Sequence, residues 1–227
     1  MKEVEITNPE FLEMMDEWLW FFKNHDKVDK TIHLSSRYKE PYKNDADYWT
    51  NHDMLNRVMR EGKGHLGYPE SCRAYTLKPD QAPFKIDSPD LNEVNDKYSK
   101  CNEDMMCNLA SRHNALSTLY PPGGWMSWHN NANAAAYNLL FSWSETGDGY
   151  FEYYDMKEQR VVRLQDKPGW QCRYGYFGSY EDSPEKLVYH AARTNCWRMT
   201  VSYIYHQGDH GTSFDIQQEI INEIVTS

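Results

Sequence analysis

The chain reads as a mainly β fold, a jelly roll or small barrel with helices packed outside it. Three observations lead there. From Asn114 to His206 the apolar residues alternate with a period near two. Pro- and Gly-rich turns, among them Pro121-Pro122-Gly123-Gly124, Gly147-Asp148-Gly149 and Lys167-Pro168-Gly169, cut this stretch into short pieces. Before Asn114 the apolar residues recur instead at three- and four-residue spacing, as on a helix face.

The elements follow in order. Asn8-Pro9-Glu10 starts a helix with a cap, a proline and an acid, and Phe11, Met15, Trp18 and Phe22 form its apolar side. A second helix fits Asp45 to Glu61, carrying Tyr48, His52, Leu55 and Met59 and stopping at Gly62. A third starts at Ser88-Pro89 and carries Leu91, Val94, Tyr98, Met105 and Leu109. Strands are expected at 114–120, 126–131, 136–143, 149–154, 160–164, 170–177, 186–191 and 197–206, a number and spacing that suit a jelly roll. Ser213 caps a last helix bearing Phe214, Ile220, Ile221 and Ile224. No linker or repeat divides the chain, so one domain is expected: a helical elaboration over 1–113, a β core over 114–206, and a turn and helix over 207–227.

Composition narrows the function. A chain of 227 residues that is 40% hydrophobic, with 8 Trp, 17 Tyr and 8 Phe, can build a sizeable core. The net charge of −10 and the lack of a basic stripe disfavour a nucleic-acid substrate, because phosphate neutralisation supplies most of that affinity. No apolar run is long enough to span a membrane. Glu13, Asp16 and Glu17 interrupt the apolar start, so no signal peptide is expected. Cys72, Cys101, Cys107, Cys172 and Cys196 are odd in number and lack C-x-x-C spacing, which argues against disulfides or zinc and for a cytoplasmic location.

The chemistry gathers in three short pieces. Within Trp128-His129-Asn130-Asn131, strand alternation puts His129 and Asn131 on one face. His190 ends a later strand. In Arg198-Met199-Thr200-Val201-Ser202, period two aims a cation and two hydroxyls inward, an arrangement suited to holding a carboxylate. Two imidazoles with an oxygen donor and an open side suit non-haem Fe(II). Arg193, in the turn before, is the rival cation.

These pieces, with Tyr120-Pro121-Pro122 upstream, resemble the Fe(II)/2-oxoglutarate-dependent dioxygenases, a family built on the double-stranded β-helix. Its H-x-(D/E), distal histidine and Arg-x-Ser/Thr correspond to His129-Asn130-Asn131, His190 and Arg198-Met199-Thr200. The resemblance covers roughly Leu119 to His206. It implies Fe(II) on His129, His190 and Asn131. It also implies 2-oxoglutarate held by Arg198, Thr200 and Tyr120, and O2 as oxidant. The reaction would be hydroxylation of an unactivated C–H bond in a small molecule, amino acid or peptide side chain. The departure is Asn131, where the family has a carboxylate. Its amide can ligate, or the position can stand open to water or a small anion as in halogenases. Alternatively a carboxylate comes from elsewhere, Asp148 and Glu152 being nearest downstream. A non-catalytic cupin-like binding module and a cupin-type enzyme needing no co-substrate remain as alternatives.

The other motifs read plainly. Gly62-Lys63-Gly64-His65-Leu66-Gly67 has the letters of a dinucleotide-binding loop but follows a helix, so it reads as a connection or substrate lid. His206 to His210 reads as an exposed turn. Trp125, Trp143, Trp170 and Trp197 read as core, with one or two reaching the pocket mouth. Substrate identity and oligomeric state leave no mark.

Overall fold

Asn8 caps helix α1 (Pro9–Asp16), its Oδ1 accepting from the backbone N–H of Glu10 and Phe11 at 3.0 and 3.2 Å. The chain continues through α2 (Leu19–Lys23) and α3 (His25–Thr31). The computed structural model describes residues 1–32, 34–37, 45–79, 89–206 and 212–226. The helix expected over 45–61 is two, α4 (Ala46–Thr50) and α5 (His52–Glu61). Asn51 breaks it by accepting from the Met54 N–H and capping the second piece. Helix α6 (Pro89–Asn108) follows, the expected start at Ser88 lying outside the described residues. In α7 (Thr212–Val225), Ser213 is not the cap; it sits in the first turn and its hydroxyl donates to the His206 carbonyl.

The strands are β1 (Lys2–Val4), β2 (Ser35–Arg37), β3 (Cys72–Thr76), β4 (His113–Tyr120), β5 (Trp125–His129), β6 (Ala136–Ser144), β7 (Gly149–Asp155), β8 (Arg160–Gln165), β9 (Gly169–Phe177), β10 (Tyr189–Thr194) and β11 (Arg198–His206). The last eight fall where expected within a few residues. The first three correct the expectation that the chain before Asn114 is only helical. Among the described residues all pairings are antiparallel, with two main runs: β9-β6-β11-β4 and β5-β10-β7-β8. Interleaving of sequence-adjacent strands between two sheets in this order is the jelly roll. Strand β1 extends the first run beside β9. Strand β3 joins the runs, pairing through Tyr75 and Thr76 with β4 and through Cys72 and Arg73 with β5.

The main core lies between the helices and the outer face of the first sheet. Trp18, Phe21, Val28, Tyr98 and Met105 pack there with outward residues such as Leu139, Phe141, Met199, Val201 and Tyr203. The opposite face of β11 sends Arg198, Thr200 and Ser202 inward, as its alternation predicts. A second cluster sets Trp49, Leu55 and Val58 of α4 and α5 against Trp125 and Trp128. The Trp128 indole N–H donates to the Thr50 carbonyl at 3.0 Å. Trp125 and Trp143 are buried; Trp170 and Trp197 are only partly so, and none of the four lines the cavity. Among the described residues no helix is long and apolar enough to cross a membrane.

This division predicts that core and cavity can be damaged separately. Trp18→Ala, which empties a fully buried site, should cost about 3–5 kcal/mol in denaturant unfolding. Asn8→Ala should cost about 1 kcal/mol as a lost cap. A loss for Trp18→Ala under about 1 kcal/mol, far below the usual cost of a large core truncation, would place the core elsewhere.

Candidate functional site

Register brings the two histidines together. His190 on β10 lies directly opposite His129 on β5, and the next pairing is Ala192 with Met126. One side of the ladder thus holds a residue more than the other, a bulge at Ser127 and Trp128. It turns Trp128 out to the helices while Met126 and His129 both face inward. The two imidazole centroids are 4.1 Å apart at 50°. In each ring Nδ1 faces the carbonyl two residues back, Ser127 for His129 at 2.8 Å and Val188 for His190 at 3.0 Å. That contact selects the Nδ1–H tautomer and leaves Nε2 as the lone-pair nitrogen.

The rings are poor bases here. Burial, then the neighbouring His190, pushes His129 well below the usual imidazole range, and burial pushes His190 down to about 4. Phe151 stacks near His190 at 5.6 Å and Phe177 meets it edge-on at 5.2 Å. Lowered in this way, both rings stay neutral at physiological pH, the form in which an imidazole binds a metal.

Strand β5 ends at His129, two residues earlier than expected. The Asn130 side chain takes the Ala132 N–H at 2.9 Å and folds the backbone into a turn, with Ala132 at φ 49°. Asn131 still lines the cavity that both histidines line, whereas buried Asn130 accepts from the Tyr180 hydroxyl. The alternative carboxylates do not line the cavity. Glu152 is buried against Arg163 at 2.7 Å, and Asp148 is bonded to Asn195. Among the described residues no group of three or more His, Cys, Asp or Glu could hold a metal.

Arg198 is fully buried on the opposite wall of the cavity, on β11 of the first sheet. Its Nε donates to Asp166 Oδ2 at 2.8 Å, Nη1 to the Thr200 hydroxyl and Nη2 to Ser142 at 3.1 Å. One N–H on each Nη nitrogen remains unspent. Although burial opposes its charge, Asp166 and Tyr120 hold its pKa above the usual arginine value. Tyr120 lies with its ring 5.4 Å from the guanidinium, and burial raises its phenol to about 12, so it stays a donor. Arg193 is elsewhere, paired with Asp47 outside the cavity.

The cavity is about 560 Å³. Thr118 adds a buried hydroxyl with no partner among the described residues. Gly67, Tyr68 and Pro69 line it too, so the loop after α5 stands at its edge, where Tyr68 is 68% exposed. A Cβ on Gly67 would come within 2.8 Å of the Ala132 Cβ, so this glycine lets the loop lie against the turn after β5. His206 keeps its place at the end of β11, but residues 207–210 of the expected turn lie outside the described residues.

Asp166 was not anticipated, because an aspartate just before Lys167-Pro168-Gly169 reads as an ordinary turn residue. Its buried partner Arg173 carried a readable signal, a cation on the inward phase of β9, the pattern that marked Arg198. Gly149 makes room for the carboxylate, since a Cβ there would lie 2.8 Å from Asp166 Oδ2.

No family model and no curated protein matches this chain. Solved structures do. A prolyl-4-hydroxylase from Pseudomonas putida is 12% identical over 81% of this chain and 98% of its own, with a TM-score of 0.33. A viral collagen prolyl hydroxylase from Paramecium Bursaria Chlorella virus-1, solved as a 2OG complex, is 12% identical over 67% and 86%, with a TM-score of 0.32. A ribosomal oxygenase from Escherichia coli is 10% identical over 72% of this chain and 39% of its own, with a TM-score of 0.29.

The histidine environment predicts an acid-sensitive apo protein. The folded pKa of His190 lies near 4, below the ordinary 6.5, so the unfolded chain binds more protons between these values. Its contribution is complete above about pH 6.5 and is lost as pH falls towards about 4. Between about pH 7.5 and 5.5, chelator-treated wild type should lose roughly 1 kcal/mol more stability than His190→Gln. Equal losses would mean that the ring is protonated freely in the fold.

Proposed function

We propose that this cavity is the metal and co-substrate site of an Fe(II)- and 2-oxoglutarate-dependent oxygenase. Its reaction would be hydroxylation of an unactivated C–H bond in a small molecule, amino acid or peptide side chain. The observation that carries the reading is the pairing, across one cavity, of two neutral imidazoles offering Nε2 with a buried guanidinium that has unspent N–H groups.

The donor set fits the ion. With metal–nitrogen bonds of ~2.0–2.1 Å, cis nitrogens on one ion lie roughly 3 Å apart, compatible with rings whose centroids are 4.1 Å apart. Asn131 Oδ1 is the third donor in this reading, uncharged and therefore weaker than a carboxylate. Bound there, Fe(II) supplies O2 activation coupled to the conversion of 2-oxoglutarate to succinate and CO2.

The chain's own residues do the rest. Ser127 and Val188 carbonyls fix the imidazole tautomers and ring angles. Arg198 holds the distal carboxylate of the co-substrate through its free N–H groups, with Thr200 and the Tyr120 phenol as further donors. Phe151, Phe177 and Leu140 keep water from the histidine side of the cavity.

A non-catalytic binding module is the second reading, favoured by one observation: Asp166 already satisfies the charge of Arg198 from within the protein. Product analysis separates the two. An oxygenase turns 2-oxoglutarate into succinate in step with its substrate, and a binding module yields none under any condition.

Metal titration addresses the site directly. His129→Ala and His190→Ala should each abolish stoichiometric Fe(II) or Mn(II) uptake while the fold persists by circular dichroism. Wild-type uptake by either variant would misplace the centre. Asn131→Asp should tighten metal binding and Asn131→Ala weaken it. A neutral Asn131→Ala, with the Fe(II) spectrum shifting on added azide, would assign an open position instead. Arg198→Lys keeps the charge but loses the fork, so 2-oxoglutarate affinity of the Mn(II)-loaded protein should fall by about 1–3 kcal/mol. Unchanged affinity would remove Arg198 from co-substrate binding.

A further inference from the structure

The cation on the cavity wall is one end of a buried chain of charges. Asp166 receives Arg198 Nε on Oδ2 at 2.8 Å and Arg173 Nη1 on Oδ1 at 2.9 Å. All three side chains are shielded from solvent, at 0–1% exposure. Arg173 Nε continues to Glu3 Oε1 on β1 at 3.0 Å, and Glu3 is 48% exposed. Carbonyls of Leu164 and Gln165 and the side chain of Gln171 hold the remaining guanidinium nitrogen of Arg173. Neither Arg173, Asp166 nor Glu3 lines the cavity.

Charge arithmetic gives this chain a purpose. A lone Arg198–Asp166 pair would be neutral and would offer an incoming anion little attraction. Arg173 makes the buried trio a net cation, and the one balancing carboxylate, Glu3, stands at the surface where water and salt screen it. Stability is a weak explanation of the arrangement, since buried ion clusters are often replaceable by well-packed apolar residues at no loss. Gly149, kept small beside Asp166, shows that the strand opposite is shaped around the carboxylate.

We infer that Arg173 and Glu3 act as positioning residues that set, through Asp166, the net charge with which Arg198 meets a dicarboxylate in the cavity. Arg173 strengthens the acid clamp from beside the cavity, and Glu3 weakens it from the edge of the sheet. The inference rests on Arg198 being that clamp.

Calorimetry of the full-length Mn(II)-loaded protein with 2-oxoglutarate at low salt tests it, through effects of opposite sign. Arg173→Gln should weaken binding tenfold or more, and Arg173→Lys should restore it to within a few-fold of wild type. Glu3→Gln, at a half-exposed site, should tighten binding two- to threefold, and the gain should vanish in high salt. A merely structural role for the chain would make Glu3→Gln weaken binding or leave it unchanged, and either result overturns the inference. So does an Arg173→Gln variant that binds like wild type. If Arg173→Gln fails to fold, the sign of Glu3→Gln and its salt dependence decide alone. Arg198→Lys separates the two levels: if it weakens binding while Glu3→Gln does not strengthen it, only this inference fails. If wild type takes up no 2-oxoglutarate, the clamp reading and this inference fall together.

Discussion

The helices that cover the first sheet make the rest of the molecule possible. A jelly roll ordinarily stabilises itself by filling the space between its sheets with apolar side chains. Here Trp18, Phe21, Tyr98, Met105 and their neighbours bury the outer face of β6, β9 and β11 instead. Apolar burial on that side supplies the main favourable energy of folding. The inner face is thereby released from packing duty and can keep Arg198, Thr200, Ser202, Thr118 and two histidines around an open space.

Strand pairing then determines where those polar groups meet. His129 and His190 are far apart in the chain but occupy one rung of the β5–β10 ladder. The bulge beside them shifts the alternation, so that Trp125 and Trp128 both meet the helices while Met126 and His129 both face the cavity. Arg198 sits on the other sheet, so the cavity is framed by histidines on one wall and a cation on the opposite one.

Much of this was legible because it depends on local pattern. Strands β4 to β11 show period two since one face meets helices or solvent and the other a partly polar interior. The inward phase of Arg198 and Thr200 could be read for the same reason. Strand β1 escaped because three residues show no period, and β3 because its five residues are divided between two sheets. The end of β5 was misplaced by two residues because Asn130 competes for the backbone, a contest between side chain and ladder that alternation does not reveal. Asp166 looked like turn chemistry, and only the fold turns it inward between two arginines.

The two outer strands have a consequence for how copies of this chain coexist in concentrated solution. A wide sheet carries unpaired N–H and C=O groups along each border, and those groups can recruit further chains into fibrous stacks. One end of the strand order is β1, only three residues long and opened by Lys2; the other end is β8, whose exposed positions include Arg160 and Arg163. Brevity on one side and fixed positive charge on the other discourage templated growth. The sheet can thus be broad enough to frame a cavity without becoming a seed for aggregation.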